Sequence, residues 1–479
     1  MKPIYLTATC LAALVLATGA QADVTPEQVW ADWQAEADRW EQTLTADSSG
    51  REGDSLVLRG LRTVQNQDGT RVEGTIDRIA LRDMGDGRVE ITGSADYPMT
   101  VTTSGTEESD PMTMSVLMTQ QDMRTVASGD PGAVRYDMTA PRILIKINEV
   151  TEADGTVVPF EATVTANYVT ANWVGGARTG SGKASTVDLT MDGESEGVRQ
   201  SLDYEMTDVS ISAAGDSDRM VGPAGQFIGQ SAFAYAASTF RADLVQEGRT
   251  LNVAGESGAG TMNVVSTETS MDWESTVEDA VLHLTGDAVP GPIELQMESA
   301  TSLFTLPLSE GEERQKMRMS VSLTDVVASE TTWSLFDPRK ALPRDPANLT
   351  MEMSGEGVFS EDPALAGPLS LVLEKLHLQL AGAELSGKGE AKLESAPANP
   401  DGTPAAPTVR DGTLNLTLKG GQGLIDAGVK AGLVPEAQAL GARMMLGMFA
   451  RPVEGQKDTV TSTIRMQDGQ LTVNGQRLQ

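Results

Sequence analysis

From about residue 54 to residue 419, apolar and polar side chains alternate with a period of two. Met317, Met319, Val321 and Leu323 alternate with Arg318, Ser320, Ser322 and Thr324. Ile293, Leu295 and Met297 alternate with Glu294, Gln296 and Glu298. The same pattern marks Val187-Leu189-Met191, Leu349-Met351-Met353, Leu376-Leu378-Leu380 and Leu414-Leu416-Leu418. Successive side chains of a strand point to opposite faces, so strict alternation means one buried and one wet face, the habit of antiparallel sheets. A parallel α/β architecture needs near-continuous apolar strands separated by helices, and neither occurs here. Asp-Gly pairs at 68–69, 86–87, 154–155, 192–193, 401–402, 411–412 and 468–469 add hairpin signals, because this dipeptide tolerates the positive φ angles of tight turns. No fixed period connects them, which argues against a propeller or solenoid.

The period changes to 3.6 at both ends. After Thr25-Pro26 and the capping-box Gln28, Val29, Trp30, Trp33, Ala37, Trp40 and Leu44 recur on one stripe, predicting an amphipathic helix over residues 23–48 that packs on the sheet. Near the other end, Ile425, Val429 and Leu433 share one face, and Leu440, Met444 and Met448 lie at i, i+4 and i+8. These predict helices near 423–433 and 435–450, with both stripes packed on the apolar face of the sheet and Phe449 closing the junction before Pro452. On that reading, Met444→Asp lowers the melting temperature sharply. Residues 331–344 predict a short helix near 331–337 anchored by Trp333, Leu335 and Phe336, and the prolines between 396 and 409 an exposed loop. A final hairpin joins 458–466 to 471–473. The fold class expected is mainly β: a large curved antiparallel sheet of long strands, with an N-terminal helix, a C-terminal helical pair and a β-rich body spanning residues 49–479.

Composition narrows the setting. Lys2, the mostly apolar run from Ile4 to Ala20 and the small-x-small site Ala20-Gln21-Ala22 read as a cleavable signal peptide over residues 1–22. Cys10 lies in that leader and is the sole cysteine, so the remaining 457 residues (479 − 22) use neither disulfides nor thiolate metal ligands. Removing Lys2 leaves 35 basic and 68 acidic residues, a charge of −33 that repels nucleic acid and anionic lipid headgroups. After Ala22 no apolar run approaches the roughly twenty residues that span a bilayer as a helix. The expectation is a periplasmic chain with no transmembrane segment in its mature part.

Signatures of chemistry fail on inspection. His283 and His377 each sit between leucines of an alternating strand and point to the polar face, and two histidines without cysteine are too few for a usual zinc site. Gly255-Glu256-Ser257-Gly258-Ala259 resembles a nucleophile elbow but ends in Ala259 and lacks the following helix. Gly180-Ser181-Gly182-Lys183 resembles a phosphate loop, yet Ala177 and Ala184 replace the first glycine and the metal-binding hydroxyl. Residues 83–90 carry calcium-like oxygen density without EF-hand spacing, and a hairpin turn explains them. No catalytic, cofactor-binding or metal-binding residue is assigned, and no cofactor is expected. Methionine is abundant: Met112, Met114, Met118, Met317, Met319, Met351 and Met353 occupy apolar strand positions. Flexible thioethers fill irregular cores and also suit surfaces that take varied apolar ligands.

Trp333-Ser334-Leu335-Phe336-Asp337-Pro338, followed by Leu342-Pro343-Arg344-Asp345-Pro346, resembles the domain-of-unknown-function 2125 family of secreted Gram-negative proteins. Residues 25–33, 423–426, 441–447 and 474–477 extend the resemblance over nearly the whole mature chain. It implies a periplasmic β-rich protein and carries no activity or site residue. The C-terminal stretch 468–475 is similar to the endings of AsmA-like envelope proteins linked with lipid and outer-membrane homeostasis. The function expected is non-enzymatic: binding or shielding a lipid or other apolar ligand in the cell envelope. Its rivals are a structural module binding other envelope proteins, and a carboxylate-based glycan hydrolase.

Overall fold

The computed structural model describes residues 23–39, 41–67, 69–105, 111–175, 179–195, 197–215, 228–308, 313–358, 369–394, 408–467 and 469–478. Residues 1–22, expected to be a signal peptide, lie outside them, as do Trp40, Asp68, Ala177, Asp401, Gly402, Asp468 and residues 396–407 of the proline-rich segment. The described strands form one 27-stranded antiparallel sheet with four helices, α1 (Pro26–Arg39), α2 (Glu330–Phe336), α3 (Gly421–Ala431) and α4 (Glu436–Phe449). Several strands are very long, Arg135–Glu152 and Val198–Gly215 reaching 18 residues each.

α1 begins as its capping box dictates: Thr25 N donates to Gln28 Oε1 at 2.8 Å, and Gln28 N to Thr25 Oγ1 at 3.3 Å. It ends at Arg39 and not near residue 48. Glu41 takes a left-handed conformation (φ 53°) and Gln42 N bonds back to Ala37 O, which terminates the helix. Leu44 therefore belongs to the strand Thr43–Glu52, whose β-favouring threonines pair it with Ser55–Gln67.

Beneath α1 lies the closed core, where Val29, Leu58, Leu81, Val89, Val134 and Tyr136 are each at most 1% exposed. Each large apolar side chain buried this way contributes roughly 1.5–3 kcal/mol. Tyr136 stacks on Trp173 (ring centroids 5.0 Å apart, 15° between planes) and donates its hydroxyl to Asp32 Oδ2 of α1 at 2.8 Å. Burial and then the Asp32 carboxylate push the Tyr136 phenol well above its ordinary value, so the bond holds α1 to the sheet over the physiological range.

Two of the Asp-Gly pairs are not turns. Asp192-Gly193 lies inside the strand Thr179–Ser195, where a Cβ on Gly193 would stand 3.0 Å from the Phe160 ring. Asp411-Gly412 lies inside Thr408–Lys419, which also absorbs the end of the expected loop. Glycine at these sites answers a close cross-strand approach instead of a turn.

A crease crosses the sheet. Gly60, Tyr168, Asp208, Asp279 and Asp325, all inside strands, have φ between 49° and 60°. The pairing skips the levels Asp47–Gly60–Asp77, Tyr168–Ser185–Asp208 and Asp279–Glu298–Asp325. Shorter strands break at the same level, as between Gly229–Tyr235 and Ala237–Gln246. A left-handed residue in a strand bends it and resets the alternation of side chains. Val277 and Leu282 are an odd number of residues apart, yet both line one crevice because Asp279 lies between them.

Candidate apolar ligand face

Register follows one row of side chains from the closed core to the far end of the sheet. Tyr136 pairs with Trp173, then Gly180, Ala213, Ser231, Val264 and Trp273 follow in turn. The row continues through Phe304, Met319, Met353, Leu373, Gly389, Leu414 and Ile464 to Val473. A neighbouring row runs Val277, Ala300, Leu323, Leu349, Leu378, Leu385, Leu418 and Val460. Beyond the crease a third row links Ile145, Val164, Leu189, Tyr204, Phe240, Gly255, Leu282 and Leu295. The face that α1 buries is thus continuous with an apolar surface across the sheet.

Among the described residues, this surface is not closed over past α1. From Trp273 through Ile464 the large apolar side chains of the first row are half-buried, as are those of the second row. The methionines Met317, Met319, Met351 and Met353 stand on this face, in keeping with the apolar strand positions read from the sequence. Glycines interrupt the rows where long neighbours lie flat. A Cβ on Gly387 would meet Leu416 Cδ2 at 2.8 Å, and one on Gly255 would meet Phe240 Cε1 at 2.4 Å. The result is a smooth apolar floor.

Two crevices open from this floor. One of about 410 Å³ sits at the crease, lined by Val277, Leu282, Leu295, Met297, Leu323 and Phe240 among others. A second, of about 490 Å³, lies between α4 and the strands that carry Leu385, Leu416, Leu418 and Val460. The second crevice also has Thr461 and Ser462 in its wall, but their hydroxyls donate to Leu416 O (3.0 Å) and Phe449 O (2.7 Å). With those groups committed to the backbone, what the wall offers a ligand is dispersion and exclusion of water.

The C-terminal helices do not sit as their leading stripes predict. α4 faces the sheet with buried Ala439 and half-buried Leu446 and Phe449, while Leu440, Met444 and Met448 are 58%, 61% and 57% exposed. α3 buries Ala427 and Gly428, leaves Ile425 and Val429 half-buried, and Leu433 beyond its end is exposed. Small residues win because they let the helices approach closely, and polar ties fix that rotation. Asp458 accepts from Gln422 N and Gly423 N at 2.9 Å each, and Asn474 Nδ2 donates to Phe449 O at 2.9 Å.

The Trp333–Pro346 motif builds a brace. Ser329 caps α2, and Thr332 is buried with its hydroxyl accepting from Glu294 N at 2.7 Å and donating to Glu294 O at 3.1 Å. Asp337, wholly buried, accepts from Ala341 N (3.0 Å), Leu342 N (2.9 Å) and Arg344 Nη1 (2.7 Å). Arg344 in turn lies 4.2 Å over the Trp333 ring. Burial acts to raise the Asp337 pKa, but the two backbone donors and the guanidinium outweigh it and hold the carboxyl below its usual range.

The remaining polar candidates lie elsewhere. His283 is exposed on the opposite face, in a polar crevice of about 560 Å³ with Asp188, Asp203, Glu205, Glu256 and Arg241. His377 is half-buried, 3.7 Å from Glu384 Oε1. Among the described residues no cluster of three or more His, Cys, Asp or Glu could hold a metal ion. Glu298 is pushed above the usual carboxylate range by its hydrogen bond with Asp325 and the charges of Asp325 and Asp279. All three are exposed at the crease and line none of the crevices described, so the pair lacks the walls that would hold a sugar between two acids. No helix among the described residues is long and apolar enough to cross a membrane.

A family model described as "uncharacterized protein conserved in bacteria (DUF2125)" matches residues 200–478. No curated protein and no solved structure matches the chain. The match takes in the α2 brace and both C-terminal helices.

Proposed function

Because that match covers 279 (478 − 200 + 1) of the 479 residues, the chain belongs to the DUF2125 family of bacterial proteins, and we propose that it is a non-enzymatic protein of the periplasm that holds or shields a lipid or other elongated apolar ligand. The observation that carries this reading is the apolar register from Trp273 to Ile464, interrupted only by Gly389, on a face left half-buried. Apolar area left in water forfeits roughly 25 cal/mol per Å², so a face this long is stabilised by an occupant of matching chemistry. Its shape favours a chain-like ligand: a long floor, smoothed by glycines, with crevices at the crease and at α4. Methionine side chains adapt to ligands of differing length and unsaturation. The leader-like residues 1–22 support a periplasmic location, and lipids crossing an aqueous compartment need such shielding.

Mass spectrometry of an organic extract of the gently purified full chain tests this. Lipid at near-stoichiometric amounts is expected, and Leu323→Arg, which places a charge in the crease crevice, reduces it several-fold. Protein that is consistently ligand-free and has no affinity for lipid probes overturns the proposal.

A further inference from the structure

We infer that α4 is the membrane-facing end of the molecule: its outward stripe seats in the surface of a lipid bilayer, and the crevice beneath it is the passage by which an acyl chain reaches the apolar face. The inference deepens the function proposed above and rests on it.

The first observation is the stripe. Leu440, Met444, Met445 and Met448 of α4 are each more than half exposed, and Leu433 before it is 47% exposed. Single exposed apolar residues are ordinary, but four gathered on one short helix, with a fifth in the connection just before it, mark a contact surface. A 14-residue helix of this kind, tied to the sheet at its C-terminal end by Ser462 and Asn474 and to α3 by Arg443 donating to Asp426, suits a position in the plane of a lipid interface.

The second is continuity. Met445 is 55% exposed and also lines the 490 Å³ crevice, with Leu446 and Phe449 behind it. The floor of that crevice, Leu385, Leu418 and Val460, is the end of the second apolar row. An acyl chain therefore passes from the stripe to the sheet along apolar walls whose Thr461 and Ser462 hydroxyls are already bonded to the backbone.

The third is charge. Residues 421–479 contain six basic and five acidic residues, a net of +1, whereas residues 1–420 contain 30 and 63, a net of −33. The acidic body is repelled by anionic headgroups, and this near-neutral segment adds nothing to that repulsion. Lys430 and Arg451 flank the stripe in sequence, Arg443 lies within it and pairs with Asp426, and Arg339 joins them by donating to Lys430 O at 3.3 Å. The attraction is apolar, with the cations removing a penalty. Binding to zwitterionic vesicles then exceeds binding to strongly anionic ones at low salt, and added salt narrows the gap.

Flotation of the full chain with phosphatidylcholine vesicles, with and without phosphatidylglycerol, tests the inference, alongside the double variant Met444→Asp/Met448→Asp. Both positions are exposed, so the variant melts close to the parent. The parent is expected to float with phosphatidylcholine vesicles, and the variant to lose about tenfold or more of that binding. The variant also takes up fluorescent lipid from vesicles more slowly, while the lipid it carries from purification is retained. Failure of the parent to float, or equal flotation of the variant, overturns the inference. Concentration-dependent dimerisation that the variant abolishes, without vesicle binding, also overturns it and assigns the stripe to a second copy. Lipid in the extract together with no flotation leaves the ligand face standing and removes only the port; an extract without lipid removes the parent proposal.

Discussion

At the scale of single residues, Asp337 shows how much a family motif can owe to architecture. Its carboxylate is enclosed by two backbone N–H groups and Arg344, and Arg344 is held over Trp333, so the acid and the base of the motif explain each other. The sequence sets Trp333, Asp337-Pro338 and Arg344-Asp345-Pro346 close together, but that they form a brace depends on the turn that brings Arg344 back to Asp337. Asp337→Asn keeps the shape but removes the charge, and should lower the midpoint of thermal unfolding by several degrees near neutral pH. Because the folded pKa lies below the unfolded one, the carboxylate's contribution is complete above about pH 4 and is lost as pH falls through the folded value. The difference in midpoint between parent and variant, measured by calorimetry from pH 7 to pH 3, should therefore shrink towards the acid end. A constant difference would mean that the charge is not what the brace uses.

At the scale of elements, alternation and helical spacing identified the antiparallel sheet, several of its strands and the helices at both ends, and failed where two stripes competed. α4 carries apolar residues around most of its circumference, so its sequence allows either Leu440-Met444-Met448 or the row of Ala439, Leu446 and Phe449 to face the sheet. Tertiary packing chose the row that begins with the smaller side chain, helped by ties to Ser462 and Asn474 that no local pattern reveals. The end of α1 is similar: helical spacing carries the stripe on to Leu44, but a left-handed Glu41 hands that leucine to a strand on the same core. The packing makes a directional prediction for α4. Met444→Asp should leave the thermal midpoint within about a degree of the parent, reversing the expectation from spacing alone. Leu446→Asp should destabilise by about 2–5 kcal/mol in denaturant titration, because it puts an unpaired charge into an apolar crevice. Equal sensitivity of the two variants would show that the rotation of α4 is wrong.

At the scale of the whole molecule, the sheet was legible in the sequence and its crease was not. Period-two patterning specifies one wet and one apolar face, but Tyr168, Asp208, Asp279 and Asp325 look like ordinary interruptions until their conformation is known. Seen together they bend the sheet along one line and let apolar residues on both sides share a concavity. Since a non-glycine residue in the left-handed region costs roughly 1 kcal/mol or more, Asp279→Gly should be neutral or stabilising by up to about 1 kcal/mol. Asp279→Val should destabilise by about 1–2 kcal/mol, and urea midpoints of the two variants decide the point. The connectivity has a different consequence, for how such a chain acquires its shape. Among the described residues no strand pairs across more than two intervening strands, so each of these partners is close in sequence. Loop-closure entropy is small at each step, and the sheet can assemble hairpin by hairpin from whichever end is free first. A chain arriving in extended form, N-terminus leading, would complete the α1-covered nucleus from its first third before the rest had appeared, and each later hairpin would find its template already standing.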